Sequence, residues 1–152
     1  MKPKENTRVM DTQVLAKLLH DAGCNPRSYS IGSDRGASDA FCLVRHGPQW
    51  RVFYTERGQA EPPEYVSKDE DQACRYFLQL ILELPHNHCV GFFRSQARAE
   101  QLYAELHAAG LNPTQDRIPY GGPDDPRFRV FVSGPAIFGA RELLGTLPRE
   151  EA

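Results

Sequence analysis

The sequence has no long apolar run, no paired cysteines and no marked excess of one charge. Its longest apolar stretch, Tyr76 to Leu84, includes Gln79 and Glu83 and is far shorter than the ~18 residues that a membrane span needs. The first residues, MKPKENTRVMDTQ, lack the apolar centre of a secretory signal. These absences predict a cytoplasmic protein that does not bind a membrane.

The four cysteines are widely separated and form no CxxC pair. Without a secretory signal we expect reduced thiols, and the apolar surroundings of Cys42 and Cys74 predict that both pack in a core. His86, His88 and Cys89 have metal-ligand chemistry, but no second pair of ligands completes a zinc site. We therefore expect no metal and no cofactor, and both histidines should be solvated loop residues.

The charge balance argues against a general affinity for nucleic acid, because 18 basic residues face 20 acidic ones and such binding needs a basic footprint. Strand alternation places Arg127 and Arg129 opposite Phe128, which predicts a buried ring and solvated arginines rather than a single-strand-binding sheet. The glycine-containing segments 32–36 and 121–125 lack the lysine and the following helix of a phosphate loop. We expect turns in both places.

The first part of the chain, residues 1–85, has the pattern of an α+β unit. A loose tail over residues 1–10 precedes a helix over residues 11–22, and a capping box of Ser67 and Glu70 starts a second helix. The apolar residues predicted on one face of the first helix are Val14, Leu15, Leu18 and Leu19. The strands of a meander are predicted between the helices, at residues 29–31, 41–45, 50–54 and 65–66.

The second part, residues 86–152, has the predicted order βαββα. Ser95 caps the first of its two helices. The predicted segments are a strand at 89–93, the capped helix, strands at 111–118 and 127–133, and a helix at 139–147. The expected fold class is therefore α+β, with an antiparallel β-meander and flanking helices followed by a ferredoxin-like βαββα unit.

The second part contains the segments GFFRSQARAEQLYAELHAAGLNP and FRVFVSGPAIFGARELLGTL. In these segments it resembles sporulation-related repeat (SPOR) modules. The resemblance covers about residues 88–147 and implies a ferredoxin-like layout. It also implies binding to septal peptidoglycan, a function that requires an export signal or a membrane anchor. The matching positions are Gly91, Phe92, Phe93, Ala99, Leu102, Leu106, Gly110, Val130, Val132, Gly134 and Pro135.

The first part shows the pattern W-x-V-x-Y-x-E-R-G, then an acidic loop and the run DEDQACRYFL. In these features it resembles the small cytosolic immunity proteins of bacterial polymorphic toxin systems, including those of contact-dependent growth inhibition. The resemblance covers roughly the first 85 residues and implies a cognate toxin as partner, without indicating which toxin chemistry is blocked. The matching positions are Trp50, Val52, Tyr54, Glu56, Arg57, Gly58, Glu70, Ala73, Cys74 and Leu78.

Glu56 is the sharpest candidate for a catalytic carboxylate. A general acid or base needs a second titratable group and a pocket, and no second carboxylate stands at an informative spacing. The simpler interpretation is a strand over residues 50–54 with an exposed end at residues 55–58 and an irregular segment over 59–64. We therefore expect a binding edge and no catalytic residue.

Acidic residues are concentrated just after this edge. They can serve the helix dipole and a solvated face, or they can attract a basic toxin such as a nuclease. We expect a toxin to dock here, with no nucleic acid, membrane or metal as partner. Two alternatives stay open: a SPOR-like envelope module, and a small enzyme centred on Glu56. The predicted toxin-binding residues are Glu56, Glu61, Glu64, Asp69 and Asp71.

Overall fold

The computed structural model describes residues 9–150. The chain divides into two compact units, one ending at Leu84 and the other starting at Pro85. Each unit contains a sheet with helices, so the predicted α+β class is confirmed. Residues 1–8, which are most of the predicted tail, lie outside the described residues.

Within the described residues, the first unit consists of two helices with five strands between them. A short 3₁₀ turn, Pro26–Ser28, leads into the first strand. The elements are α1 (Thr12–Asp21), β1 (Tyr29–Ile31), β2 (Ala40–His46), β3 (Gln49–Glu56), β4 (Gln59–Ala60), β5 (Tyr65–Ser67) and α2 (Glu70–Leu82).

The sheet of the first unit is mixed. β2 and β3 form the predicted hairpin around Gly47 and Pro48, and both β4 and β5 pair with β3 in antiparallel orientation. β1 differs from the predicted meander because it runs parallel to β2. A parallel pair needs a connection that carries the chain back to the starting end, and residues 32–39 supply it.

Two prolines split the pairing along β3 into two parts. Pro62 and Pro63 have no N–H group to donate to a ladder. On either side of them, the N–H groups of Glu61 and Glu64 donate to carbonyls of β3, each at 2.8 Å. The segment 59–64, expected to be irregular, is therefore an interrupted β-edge.

The core of the first unit lies between the helices and one face of the sheet. Leu15 and Leu19 are fully buried there, whereas Val14 and Leu18 are 38% and 41% exposed, contrary to the prediction. Consecutive helix residues are rotated by about 100°, so only one of each adjacent pair reaches the buried stripe. The other buried members of this core are Met10, Cys24, Leu43, Val52, Ala73, Cys74, Phe77 and Ile81.

Aspartates set the starts of both helices in this unit. Asp11 caps α1 by accepting the N–H of Val14 at 2.9 Å. Asp69 caps α2 by accepting the N–H of Gln72 at 3.2 Å, so the predicted capping box of Ser67 and Glu70 is wrong. Ser67 instead accepts the N–H of Asp69, a local bond that shapes the turn before the helix.

The second unit has the predicted βαββα order, and a two-residue strand follows it in the described residues. Its elements are β6 (Asn87–Phe93), α3 (Gln96–Ala108), β7 (Thr114–Ile118), β8 (Arg127–Ser133), α4 (Ala136–Leu144) and β9 (Arg149–Glu150). The strand order is β7-β8-β6-β9. β8 is antiparallel to both β6 and β7, and β9 runs parallel to β6.

Prolines shift two boundaries of the second unit from their predicted positions. β7 begins at Thr114 rather than at residue 111, because Pro113 directly before it has no N–H for a ladder. α4 begins at Ala136 rather than at residue 139. Pro135 precedes it, at a position where a missing N–H costs nothing.

The core of the second unit lies under α3 and α4. Gly91 permits the close approach of α3 to β6, because a Cβ there would lie 2.6 Å from Leu102 and 2.8 Å from the Phe93 ring. The buried members of this core are Val90, Phe93, Ala99, Leu102, Leu106, Val130, Val132, Ile137, Ala140 and Leu144. No helix within residues 9–150 is long and apolar enough to cross a membrane.

On the opposite face of this sheet, Arg127 and Arg129 both have partners, so the prediction that they are solvated is wrong. Arg127 is buried, and its guanidinium lies 4.8 Å from the centre of the Tyr120 ring. Arg129 makes two hydrogen bonds to Asp116 and lies 4.9 Å from the Phe131 ring centre. Residues two apart on a strand share a face, so an aromatic ring and both arginines lie together here.

Candidate functional site

Residues 55–58 form a tight hairpin rather than the exposed end of a strand. β3 runs to Glu56, which pairs with Gln59 of β4. Between them, Arg57 and Gly58 have φ values of +53° and +82°, the combination found in the type I′ turn that joins twisted antiparallel strands. The hairpin therefore presents Glu56 and Arg57 at an exposed tip.

Two side chains hold the hairpin in place. The Arg57 N–H donates to the Asp39 carboxylate at 3.2 Å. The Thr55 hydroxyl donates to the Ala40 carbonyl at 3.0 Å and accepts the Ala40 N–H at 3.3 Å. Thr55 is 1% exposed, so the prediction that it lies on the surface is wrong. Its hydroxyl therefore bonds to both polar backbone groups of Ala40.

Three carboxylates surround Tyr54, which precedes the hairpin on β3. Burial, followed by the negative charges of Asp39, Glu56 and Glu61, raises the pKa of the Tyr54 hydroxyl. The Tyr54 ring packs edge-on against Phe41, with centroids 4.9 Å apart. Asp39, Glu56 and Glu61, here called the acidic cluster, form no ion pair within the described residues.

An open groove of about 490 Å³ runs along the hairpin beside the acidic cluster. Its lining residues are all exposed. They are Glu56, Arg57, Gln59, Ala60, Glu61 and Pro62. A groove of this kind offers charge to a large surface and does not enclose a small substrate.

Glu64 and Asp69, both predicted to bind a toxin, also have structural partners. The Glu64 carboxylate accepts the Tyr76 hydroxyl at 2.5 Å, and this bond raises the pKa of Tyr76 to about 12. The Tyr76 ring stacks on Tyr65 with centroids 4.1 Å apart, so Glu64 helps to tie β5 to α2. Asp69 uses one carboxylate oxygen to cap α2.

Asp71 and Glu70 fasten the start of the described chain to α2. Asp71 accepts the N–H of Met10 at 2.5 Å and pairs with Arg75 at 3.1 Å. These two contacts hold the pKa of the Asp71 carboxyl below its ordinary value. Glu70 accepts the N–H of Thr12 at 3.1 Å. Met10, predicted to belong to a loose tail, is therefore fixed and buried.

The described part of the chain contains no group of three or more His, Cys, Asp or Glu side chains that could hold a metal ion. His86, predicted to be solvated, is buried, and its carbonyl accepts the Gly134 N–H at 2.8 Å. That prediction is wrong because His86 lies where the end of β8 returns to the start of β6. Cys42 and Cys74 are fully buried, as predicted.

Searches with this chain against protein-family models, curated proteins and solved structures found no match. No family is therefore assigned. The resemblances to immunity proteins and to SPOR modules stay predictions, and so does the toxin-binding role of the five acidic residues named for it.

Asp39 is the member of the acidic cluster that the sequence did not indicate. It lies 18 residues before Arg57, outside the acidic stretch. A weak signal exists, because aspartate is one of the few residues that adopt a positive φ, and Asp39 has φ +55° directly before β2. Only the pairing of β2 with β3 brings its carboxylate to the hairpin.

Proposed function

We propose that this chain is a cytoplasmic immunity protein that binds and neutralises a cognate secreted toxin domain, such as a nuclease, by covering its active site. The observation that carries the proposal is the acidic cluster on an exposed hairpin, without an ion-pair partner in the described residues. Active sites that bind nucleic acid present basic side chains to the phosphates. An acidic hairpin is complementary to such a surface.

The hairpin suits inhibition because it is held in place before a partner arrives. Glu56 ends a paired strand, and the Glu61 N–H is bonded to the same strand. Asp39 is itself bonded to the hairpin backbone. Little conformational freedom is lost on binding, and such preorganisation favours affinity. The complementary charge mainly raises the association rate.

The five residues predicted from the sequence fall into three groups under this proposal. Glu56 and Glu61 contact the toxin directly, together with Asp39. Glu64 and Asp69 lie further along and use part of their bonding capacity within the fold. Asp71 acts mainly through the fold, because Met10 and Arg75 occupy its carboxylate.

The test requires a candidate toxin, namely the C-terminal domain of any large secreted protein that a neighbouring gene encodes. Co-expression of the chain should restore the growth of cells that produce this domain. Glu56→Lys combined with Glu61→Lys should remove the protection. In a binding assay at low salt, this double variant should associate at least ten-fold more slowly, with a flatter dependence on salt.

The matched control is Glu105→Lys combined with Glu142→Lys, which makes the same change in charge at exposed positions of the second unit. It should protect cells as well as the wild type does. Equal protection by both double variants, or a loss in the control alone, would show that the acidic cluster is not the interface. Failure of the wild type to protect would reject the immunity function itself.

An enzyme centred on Glu56 has less support. The charged neighbours of Glu56 in the groove are Arg57 and Glu61, and every lining residue is exposed. General acid or base catalysis by a carboxylate is favoured by a site that excludes water. The proposed function therefore uses no chemistry of the chain's own.

A further inference from the structure

A separate cleft of about 340 Å³ lies where the two parallel strands of the first unit begin. Two segments that lead into these strands form its walls: the 3₁₀ turn before β1, and residues 32–39 before β2. Arg27 comes from the first segment and Arg35 from the second. The parallel pairing of β1 with β2 therefore brings two guanidinium groups to one concave surface.

The side chains of both arginines are exposed and make no ion pair within residues 9–150. In this they differ from Arg75, Arg127 and Arg129, each of which binds an aspartate. Two cations without a carboxylate repel one another across a shared cleft. An anion between them removes this repulsion.

The backbone positions both arginines in the same way. The Arg27 N–H donates to the Asn25 side-chain oxygen at 3.0 Å, and the Arg35 N–H donates to the Ser33 hydroxyl oxygen at 3.1 Å. The Ser30 hydroxyl, in turn, donates to the Ser33 carbonyl. These bonds fix the backbone that carries the two arginines, so less backbone freedom is lost when an anion binds.

We propose that this cleft binds a small ligand that carries a phosphate group. Two guanidinium forks and the Ser38 hydroxyl offer more donors than the two oxygens of a carboxylate use, since one arginine already satisfies a carboxylate in bidentate fashion. A phosphate group has three terminal oxygens and accepts from both forks at once. The volume lies in the range of small-ligand sites.

The wall formed by residues 32–39 contains two carboxylates, Asp34 and Asp39, and neither of them lines the cleft. Burial, followed by the charge of Asp34, raises the pKa of the Cys42 thiol to about 11. Asp39 belongs to the acidic cluster and stands between two cleft residues, Ser38 and Ala40, in the chain. The cleft and the groove beside the acidic cluster share no lining residue, and the phosphate proposal does not rest on toxin binding.

The test is a titration of the full ¹⁵N-labelled chain with pyrophosphate at low salt, followed by amide shifts. Saturable shifts should appear at Ser30, Gly36 and Ser38. Arg27→Gln combined with Arg35→Gln should weaken the binding at least ten-fold. The control, Lys68→Gln combined with Arg141→Gln, removes the same charge from exposed positions elsewhere and should bind as the wild type does.

Unchanged dispersion in the spectra of both variants establishes that they are folded. Equal weakening in both would show diffuse attraction by net charge and would overturn the site. Succinate that binds as tightly as pyrophosphate would overturn the preference for phosphate. A phosphoserine peptide that binds more tightly than pyrophosphate would replace the small ligand by a protein partner.

Discussion

The carboxylates of the first unit differ in the hydrogen bonds and ion pairs that they make within the fold. Asp71 accepts hydrogen bonds from the backbone N–H of Met10 and from the Arg75 guanidinium. Glu64 accepts a hydrogen bond from the Tyr76 hydroxyl. Glu56 and Glu61 have no ion pair within residues 9–150 and affect their surroundings mainly through charge at Tyr54. The first pair stabilises the fold, whereas the second pair leaves its charge for another molecule.

Asp71→Asn should weaken the dependence of first-unit stability on pH. The N–H of Met10 and the guanidinium of Arg75 lower the pKa of Asp71 in the folded chain, while the unfolded carboxyl has a pKa of about 3.9. Ionised Asp71 therefore stabilises the fold above the unfolded pKa, and this contribution is lost as the pH falls through the lower folded pKa.

Urea unfolding followed by the fluorescence of Trp50, the single tryptophan, measures the free energy of unfolding of the first unit. Between pH 6 and pH 3 this free energy should fall less in Asp71→Asn than in the wild type. Asp34→Asn, which removes an exposed carboxylate of the same unit, serves as control. Identical pH slopes for Asp71→Asn and the wild type would contradict the role of Asp71.

The sequence could indicate where the acids are but not what each of them binds. Met10 and Tyr76, which occupy Asp71 and Glu64, are 61 and 12 residues away along the chain. Asp39 reaches the hairpin only through strand pairing. Side chains far apart in the chain meet because of tertiary packing, and no local pattern encodes it.

For the helices and strands, a sequence pattern predicted the structure best where a single physical cause, such as helical periodicity, determines the outcome. The 3.6-residue periodicity of the second helix predicts one apolar face formed by Ala73, Phe77, Leu80, Ile81 and Leu84. The first, second and fourth of these are buried, whereas Leu80 and Leu84 are half-buried. The start of α2 was less certain, because Ser67 and Asp69 both carry capping oxygens within three residues. The parallel direction of β1 was not predictable, since a three-residue strand carries no mark of its direction.

Asp69→Ala should lower the free energy of unfolding of the first unit by about 1 kcal/mol. The Gln72 N–H at the start of α2 would lose its acceptor. Ser67→Ala should cost less, because the Ser67 hydroxyl bonds to the turn before the helix and to the Gln72 side chain. The same Trp50 assay distinguishes them, and a larger loss for Ser67→Ala would show that the cap is misassigned.

At the scale of the whole molecule, the two units have separate apolar cores and unequal shares of the cysteines. Cys24, Cys42 and Cys74 are buried in the first unit, and the half-buried Cys89 lies in the second. The sequence predicted the burial of Cys42 and Cys74 because both stand in periodic apolar stretches. The three buried cysteines thus report the opening of the first unit, whereas Cys89 is partly accessible in the folded second unit.

Thiol labelling at pH 8 should modify Cys89 first and the other three cysteines only as the first unit opens. Burial raises the pKa of every thiol, to about 11 for Cys42 and about 12 for Cys74, and only thiolates react. Mass spectrometry over time should show one fast modification, which Cys89→Ser removes, and four in denaturant. Labelling of Cys42 or Cys74 as fast as Cys89 would contradict the buried arrangement.

The polar contacts at the first turn of α2 can form only after the ribosome has synthesised α2, well after it has synthesised α1. Glu70 and Asp71 hold Thr12 and Met10, which precede them by 58 and 61 residues. At translation rates of about 5–20 residues per second, roughly 3–12 s separate the synthesis of these partners. Until then α1, with 10 residues, is shorter than an isolated stable helix. The nascent chain therefore exposes the apolar stripe of α1 to chaperones for several seconds.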